Sequence, residues 1–208
     1  EIRRTPAAQA ALRKEWDHLR LIKCWDESKV REWSVVAAEA RAAGQAAHHG
    51  DLHALCYEKN SELPVTDPRR KYKGRVVFLG NRVKDQSWEA AMFQDISSCP
   101  ATMGAAKAAD CYGMMEGHGT QCADAEQAYT QSLLGGTPTW ITLPPEEWPA
   151  SWKGMRHPVC PLVLALYGHP DSGGYWEKHC EKHLRSVGFE DIPAWRSCFW
   201  HPRLKLFL

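Results

Sequence analysis

Leu52-His-Ala-Leu-Cys-Tyr57 and Gly74-Arg-Val-Val-Phe-Leu-Gly80 are the two stretches on which the fold turns. Both are short and rich in apolar residues, and a polar link carrying Pro64 and Pro68 separates them, so the pattern predicts two strands of one hairpin-like element. Upstream, Leu12, Trp16 and Leu19 recur at helical spacing, and Val30, Trp33, Val36 and Ala40 repeat the pattern before Gly44 breaks it, which predicts two amphipathic helices. Downstream, residues 102–115 are alanine-rich and free of proline, predicting a third helix ended by Gly117 and Gly119. A short strand is expected at residues 121–124, another at 139–143 closed by Pro144 and Pro145, and a fully apolar one at 162–166. Residues 172–187 then read as a helix with a Ser or Asp cap and Gly188 as its stop, and residues 204–208 as the start of a last strand. This order predicts an α+β layout, a sheet covered by helices.

With 208 residues, 44% of them hydrophobic and ten of them Trp, the chain has ample material for a core. The longest uncharged apolar run, around residues 162–167, falls far short of the roughly 20 residues that cross a bilayer, so no membrane is expected as a partner. The chain opens on Glu1 with no basic-then-apolar leader, and is expected to be a piece of a longer product. None of the eight Cys forms a CxxC pair, which favours free thiols over a disulfide framework. Charge is uneven: residues 1–84 carry 17 Lys+Arg against 11 Asp+Glu, and residues 85–208 carry 9 against 14. A basic first part beside an acidic second part suits phosphate binding next to cation binding.

Three segments carry candidate chemistry. Between Arg69 and Lys84 there are seven positive residues in 16 positions and no acid. Alternating cations on a strand share one face, which suits either a grip on phosphate or a strand edge guarded by charge. In Gln121-Cys-Ala-Asp-Ala-Glu-Gln-Ala-Tyr129, Asp124 stands between an apolar stretch and a helix-forming one, placed to hold Mg²⁺ or to cap the helix. His49, His53 and Cys56, and His179, Cys180 and His183, cluster soft ligands without a fourth partner, leaving a zinc-binding module as a weaker alternative. Cys160 and Cys198 read as buried thiols, since no base can be assigned to either.

The run from Asp124 to Tyr129 resembles motif A of reverse transcriptases, where a metal-binding Asp is followed five positions on by an aromatic residue. Lys73-Gly-Arg-Val-Val-Phe-Leu-Gly80 resembles the Ty1/copia-type fingers signature K-A-R-L-V-A-R-G. The stretch from Leu166 through Tyr167, Gly168 and Trp176 to Lys178 resembles that family's L-Y-G-L-K-Q-A-P-R-A-W-Y-E-K segment, with Gly188 and Phe189 where the family has Gly-Phe. The three occur in the family's order and cover residues 70–190.

The resemblance implies the amino-terminal part of a copia-type retrotransposon reverse transcriptase, an RNA-directed DNA polymerase and nucleotidyltransferase. Its expected fold is right-hand polymerase fingers plus a ferredoxin-like palm, incomplete before the Tyr-x-Asp-Asp motif. Residues 1–68 would form a helical lead-in and the start of the fingers, 69–120 the fingers, and 121–208 the palm. Asp124 would be the catalytic, Mg²⁺-binding carboxylate at the end of a central strand. Lys73, Arg75, Ala125, Tyr129, Tyr167 and Gly168 would bind the dNTP, with Tyr129 excluding a ribose 2′-OH. Implied partners are an RNA or DNA template-primer and the remainder of a Pol polyprotein with its integrase and RNase H; implied locations are cytoplasmic virus-like particles and the nucleus. Where the family has Lys-Gln-Ala-Pro, this chain has Pro170-Asp-Ser-Gly173, so polar contacts made there by the family do not carry over. A non-catalytic remnant with residual nucleic-acid binding is the alternative from another class.

Overall fold

The computed structural model describes residues 5–93 and 98–208. Helix α1 (Pro6–Leu21) begins where Thr5 accepts a hydrogen bond from the Ala8 amide at 3.3 Å and Pro6 presets the first turn. Strand β1 (Arg31–Glu32) leads into α2 (Trp33–Ala43), which stops at Gly44 in the left-handed conformation, φ +61°. Then come β2 (His48–Lys59), β3 (Lys71–Phe78), α3 (Met103–Gly113), β4 (Thr139–Thr142), β5 (Pro158–Pro161), α4 (Ser172–Ser186) and three short strands, β6 (Glu190–Asp191), β7 (Phe199–His201) and β8 (Leu206–Phe207).

Five strands form one mixed sheet in the order β1-β5-β4-β2-β3, and β6-β7-β8 form a second, antiparallel sheet. The expected hairpin is present: β2 and β3 pair antiparallel from Leu52 opposite Phe78 to Lys59 opposite Lys71. The first four residues of β2 instead pair in parallel with β4, from His48 beside Thr139 to Asp51 beside Thr142. The main sheet thus takes strands from residues 1–68, 69–120 and 121–208 alike.

Alternation along the strands divides the core between the two sheet faces. Leu52, Val76, Phe78, Ile141 and Cys160 pack with Trp16 and Leu19 of α1, whereas Trp140 and Val159 join Trp33, Val36 and Ala37 of α2 on the other face. The chain is therefore a mixed α+β protein with helices on both faces of a five-stranded sheet. Among the described residues no helix is long and apolar enough to cross a membrane.

Two expected strands are absent. Residues 121–124 are irregular and exposed, because Gln121-Cys-Ala-Asp124 offers no β-branched or aromatic side chain to pack on a sheet. Asp124 therefore does not end a central strand. In the apolar run 162–166, only Leu162 and Leu164 form isolated bridges, to Trp25 and Leu133, and the ladder strand is β5 just before it. Its amides are satisfied singly instead, Val163 and Leu164 donating to the Cys24 carbonyl at 2.9 and 3.0 Å and Ala165 to Ser132 at 2.9 Å.

Candidate nucleotide-binding cavity

A cavity of about 470 Å³ opens at the free edge of β3. Its walls are Glu15 and Leu19 from α1; Lys73, Gly74 and Arg75 from β3; residues 124–127 and Thr130 from a turn; and Leu166 and Tyr167. Of the residues singled out in the sequence, Lys73, Arg75, Asp124, Ala125 and Tyr167 line one cavity. Tyr129 and Gly168 stand behind its wall: the Tyr129 and Tyr167 rings lie 4.5 Å apart, and Gly168 packs on the end of β3.

Each wall is fixed by a backbone requirement. Helix α1 crosses β3 at Gly74 so closely that a Cβ there would lie 2.5 Å from the Ala11 carbonyl oxygen. Lys73 and Arg75 flank that crossing two positions apart, hence on one face of the strand, the one opposite to Gly74 and α1, at the sheet's free edge. Tyr167 is tied to β3 by its carbonyl, which accepts from the Phe78 amide at 2.8 Å, and by the mutual approach of two glycines. A Cβ on Gly80 would meet the Gly168 oxygen at 2.2 Å, and Gly168, at φ +91°, would meet the Phe78 oxygen at 2.0 Å. The Arg75 guanidinium lies 4.9 Å over the Tyr167 ring, which holds it in place while leaving its N–H donors for a ligand.

The turn is pinned in the same way. Gln127 takes φ +52°, and Thr130 donates to its carbonyl from both amide and hydroxyl at 3.0 Å. Gln131 donates to the Glu126 carbonyl at 2.7 Å, and the Gln127 side chain meets the His18 ring on α1 at 2.5 Å. Asp124 is thereby presented, exposed, on the cavity wall, and the one-turn helix that follows (Ala128–Gln131) has Gln127, not Asp124, at its N-cap position, with no side-chain capping bond.

Among the described residues, Lys73, Arg75, Glu15, Asp124 and Glu126 form no ion pair with one another or with any other group. Two cations and three carboxylates facing one hollow without neutralising each other is an arrangement suited to a ligand carrying anionic and hydrogen-bonding groups. The larger hollow of about 530 Å³ near Trp25 differs in this respect, because Arg20 there is paired with Glu27 and Lys29 with Asp26.

The carboxylates are oxygen donors of the kind Mg²⁺ takes, but among the described residues no three His, Cys, Asp or Glu side chains form a group able to hold a metal ion. The residues present do not by themselves make up a two-metal site. The soft-ligand cluster on β2 is also divided: Cys56 reaches back to the Ala8 carbonyl on the α1 side, while His49 packs against Trp33 on the other. On α4, His179 stacks on Trp176. Glu15 and Glu126 went unforeseen; only the placement of Glu15 one turn before Leu19 on α1 foreshadows a shared wall. No protein-family model, no curated protein and no solved structure matches this chain.

Proposed function

We propose that the cavity binds a deoxynucleoside triphosphate and that the chain is the fingers and first palm part of a copia-type RNA-directed DNA polymerase, working on an RNA or DNA template-primer. The observation that carries this reading is the convergence of three segments far apart in sequence, at residues 73–75, 124–127 and 166–167, around one hollow with unpaired charge. Lys73 and Arg75 meet the phosphates, with Arg75 oriented by the Tyr167 ring. Tyr129 backs the Tyr167 ring from behind the wall and so sets the room beside the sugar through it, and Asp124 is the carboxylate of the resembled motif that reaches the cavity wall.

A charge-assisted contact to phosphate is worth about 1.5–3 kcal/mol, so Arg75→Ala is expected to weaken dTTP binding at least tenfold in a calorimetric titration. Tyr129→Ala is expected to narrow the preference for dTTP over UTP. Unchanged dTTP affinity in Arg75→Ala places the phosphate grip elsewhere. The second reading is a non-catalytic remnant that still binds nucleic acid. Primer extension separates the two: incorporation lost in Asp124→Asn supports the polymerase, and binding without incorporation by a chain extended beyond Leu208 supports the remnant.

A further inference from the structure

A second constellation lies on the sheet face opposite α1. Trp88 is 54% exposed and adopts φ +63°, a backbone region costly for a bulky side chain. Its turn is pinned on all sides. The Asp85 carboxylate accepts from the Ser87 and Glu89 amides at 2.7 and 3.0 Å, and the Trp88 amide donates to the Asp85 carbonyl at 3.1 Å. Arg41 donates to the Gln86 carbonyl, and the Gln86 side chain accepts from the Ala47 amide at 3.0 Å.

The indole is held over a rigid aromatic floor. It stacks on His157, with centroids 6.0 Å apart and planes 17° from parallel, and meets His49 and Trp33 edge-on at 5.7 and 6.2 Å. The Thr142 hydroxyl hydrogen-bonds to Nε2 of both His49, at 2.8 Å, and His157, at 3.2 Å, fixing the two imidazoles. A tryptophan kept only to fill the core would be buried; this one has half its surface open in a conformation that Asn or Gly adopts more cheaply.

Around it stand Arg41, which holds the turn at the Gln86 carbonyl, Lys84, whose backbone pairs with that of His49 at 2.7 and 2.9 Å, and Arg156, next to His157. All three are exposed and, among the described residues, none is in an ion pair. The nearby acids are Asp85, occupied with two amides; Glu32, whose carboxylate is occupied with the Arg156 and His157 amides at 2.7 and 2.8 Å; Asp51, two residues from His49 on β2; and Glu89. The face that carries His49 continues along β2 to Leu55 and Tyr57, which lie opposite Arg75 and Lys73. That path is about 27 Å long at the usual rise per strand residue.

We propose that Trp88, seated on His157, is a stacking site for an unpaired base of single-stranded nucleic acid, with Lys84 and Arg156 meeting the flanking phosphates. An aromatic platform rimmed by cations is the chemistry that holds single strands irrespective of sequence. The choice of occupant rests in part on the nucleotide reading of the cavity, since the same face leads to Lys73 and Arg75.

The test compares a short fluorescent oligo(dT) with an abasic chain of equal length by anisotropy, using the full chain. Wild type is expected to prefer oligo(dT) by at least roughly fivefold, the lower range of base–aromatic stacking. Trp88→Ala should erase that preference, and Trp88→Phe, which keeps a ring, should retain most of it. Lys84→Ala and Arg156→Ala should weaken both ligands alike and flatten the salt dependence. Retained preference in Trp88→Ala, or none in wild type, overturns the proposal. Calorimetry with dTTP keeps the two readings apart: a Trp88-dependent preference without dTTP binding sinks the cavity and leaves the platform, and dTTP binding without the preference does the reverse.

Discussion

Gly74→Ala adds one methyl where α1 lies on β3. That carbon would sit 2.5 Å from the Ala11 oxygen and 2.9 Å from the Leu12 Cα, against 3.4 Å or more for ordinary contact, so helix and strand must part by about 0.9 Å. The clashing atoms are backbone, and no side chain can rotate aside. Overpacking of this size costs about 1–3 kcal/mol, which for a chain of this length lowers Tm by about 2–12 °C. The same retreat moves Glu15 and Leu19 away from Lys73 and Arg75, so dTTP affinity should fall along with stability. Gly104→Ala is the internal control: it lies in α3, its nearest neighbour is the Thr102 hydroxyl at 3.7 Å, and it should stabilise by about 0.5–1 kcal/mol through helix propensity alone. Urea unfolding of both variants decides the matter. A Gly74→Ala protein within about 0.5 kcal/mol of wild type, a usual margin for neutral surface changes, refutes the close crossing.

Acid should destabilise the fold through two histidines. Burial holds His49 and His169 near pKa 4 against an ordinary 6.5, with His157 and His48 adding to the respective effects and Asp51 opposing the first. Both groups are neutral in native and unfolded chains above pH about 6.5, so the contribution is complete there; it is lost as pH falls towards about 4 and levels off below. The loss is about 3 kcal/mol per histidine, read as urea midpoints between pH 7.5 and 4, and a flat profile counts against it. Among the thiols, Cys111 and Cys122 are exposed and should react promptly with a disulfide reagent, whereas burial pushes Cys24 up to about 12 and Cys160 higher still. Those two should react only on unfolding, and prompt modification of either in the native protein would contradict their burial. Glu147, its side chain 6% exposed, accepts from Arg13 at 3.1 Å and Arg20 at 2.8 Å, so Glu147→Ala should cost about 1–3 kcal/mol in urea unfolding, and Glu147→Gln less.

Periodicity revealed most of the regular structure. Trp16 and Leu19 marked the buried stripe of α1, Gly44 its successor's end, and the hairpin could be read from two apolar runs across a proline-bearing link. The run at 162–166 misled because continuous apolarity has no period; it records burial, and the backbone there is satisfied by separate loop partners. Residues 121–124 carry only a boundary between apolar and polar residues, with no side chains suited to pack on a sheet. Lys73 and Arg75 were legible as cations two positions apart on a strand, but Glu15 came into the cavity only through the helix crossing at Gly74. The Thr142 bridge between His49 and His157 joins positions 93 and 15 residues away from it, with no local pattern to announce it.

The cavity's walls come from positions 15–19, 73–75, 124–130 and 166–167, so no excised fragment possesses it. Each wall must close a long loop before it meets the next, and that entropic cost precedes any reward from contact. Occupancy is accordingly a property of the whole fold, and a ligand that binds only the assembled chain raises its stability by RT ln(1 + [L]/Kd). Thermal shift on titration with candidate nucleotides therefore serves both as a screen for the occupant and as a gauge of whether the most distant segments have found one another.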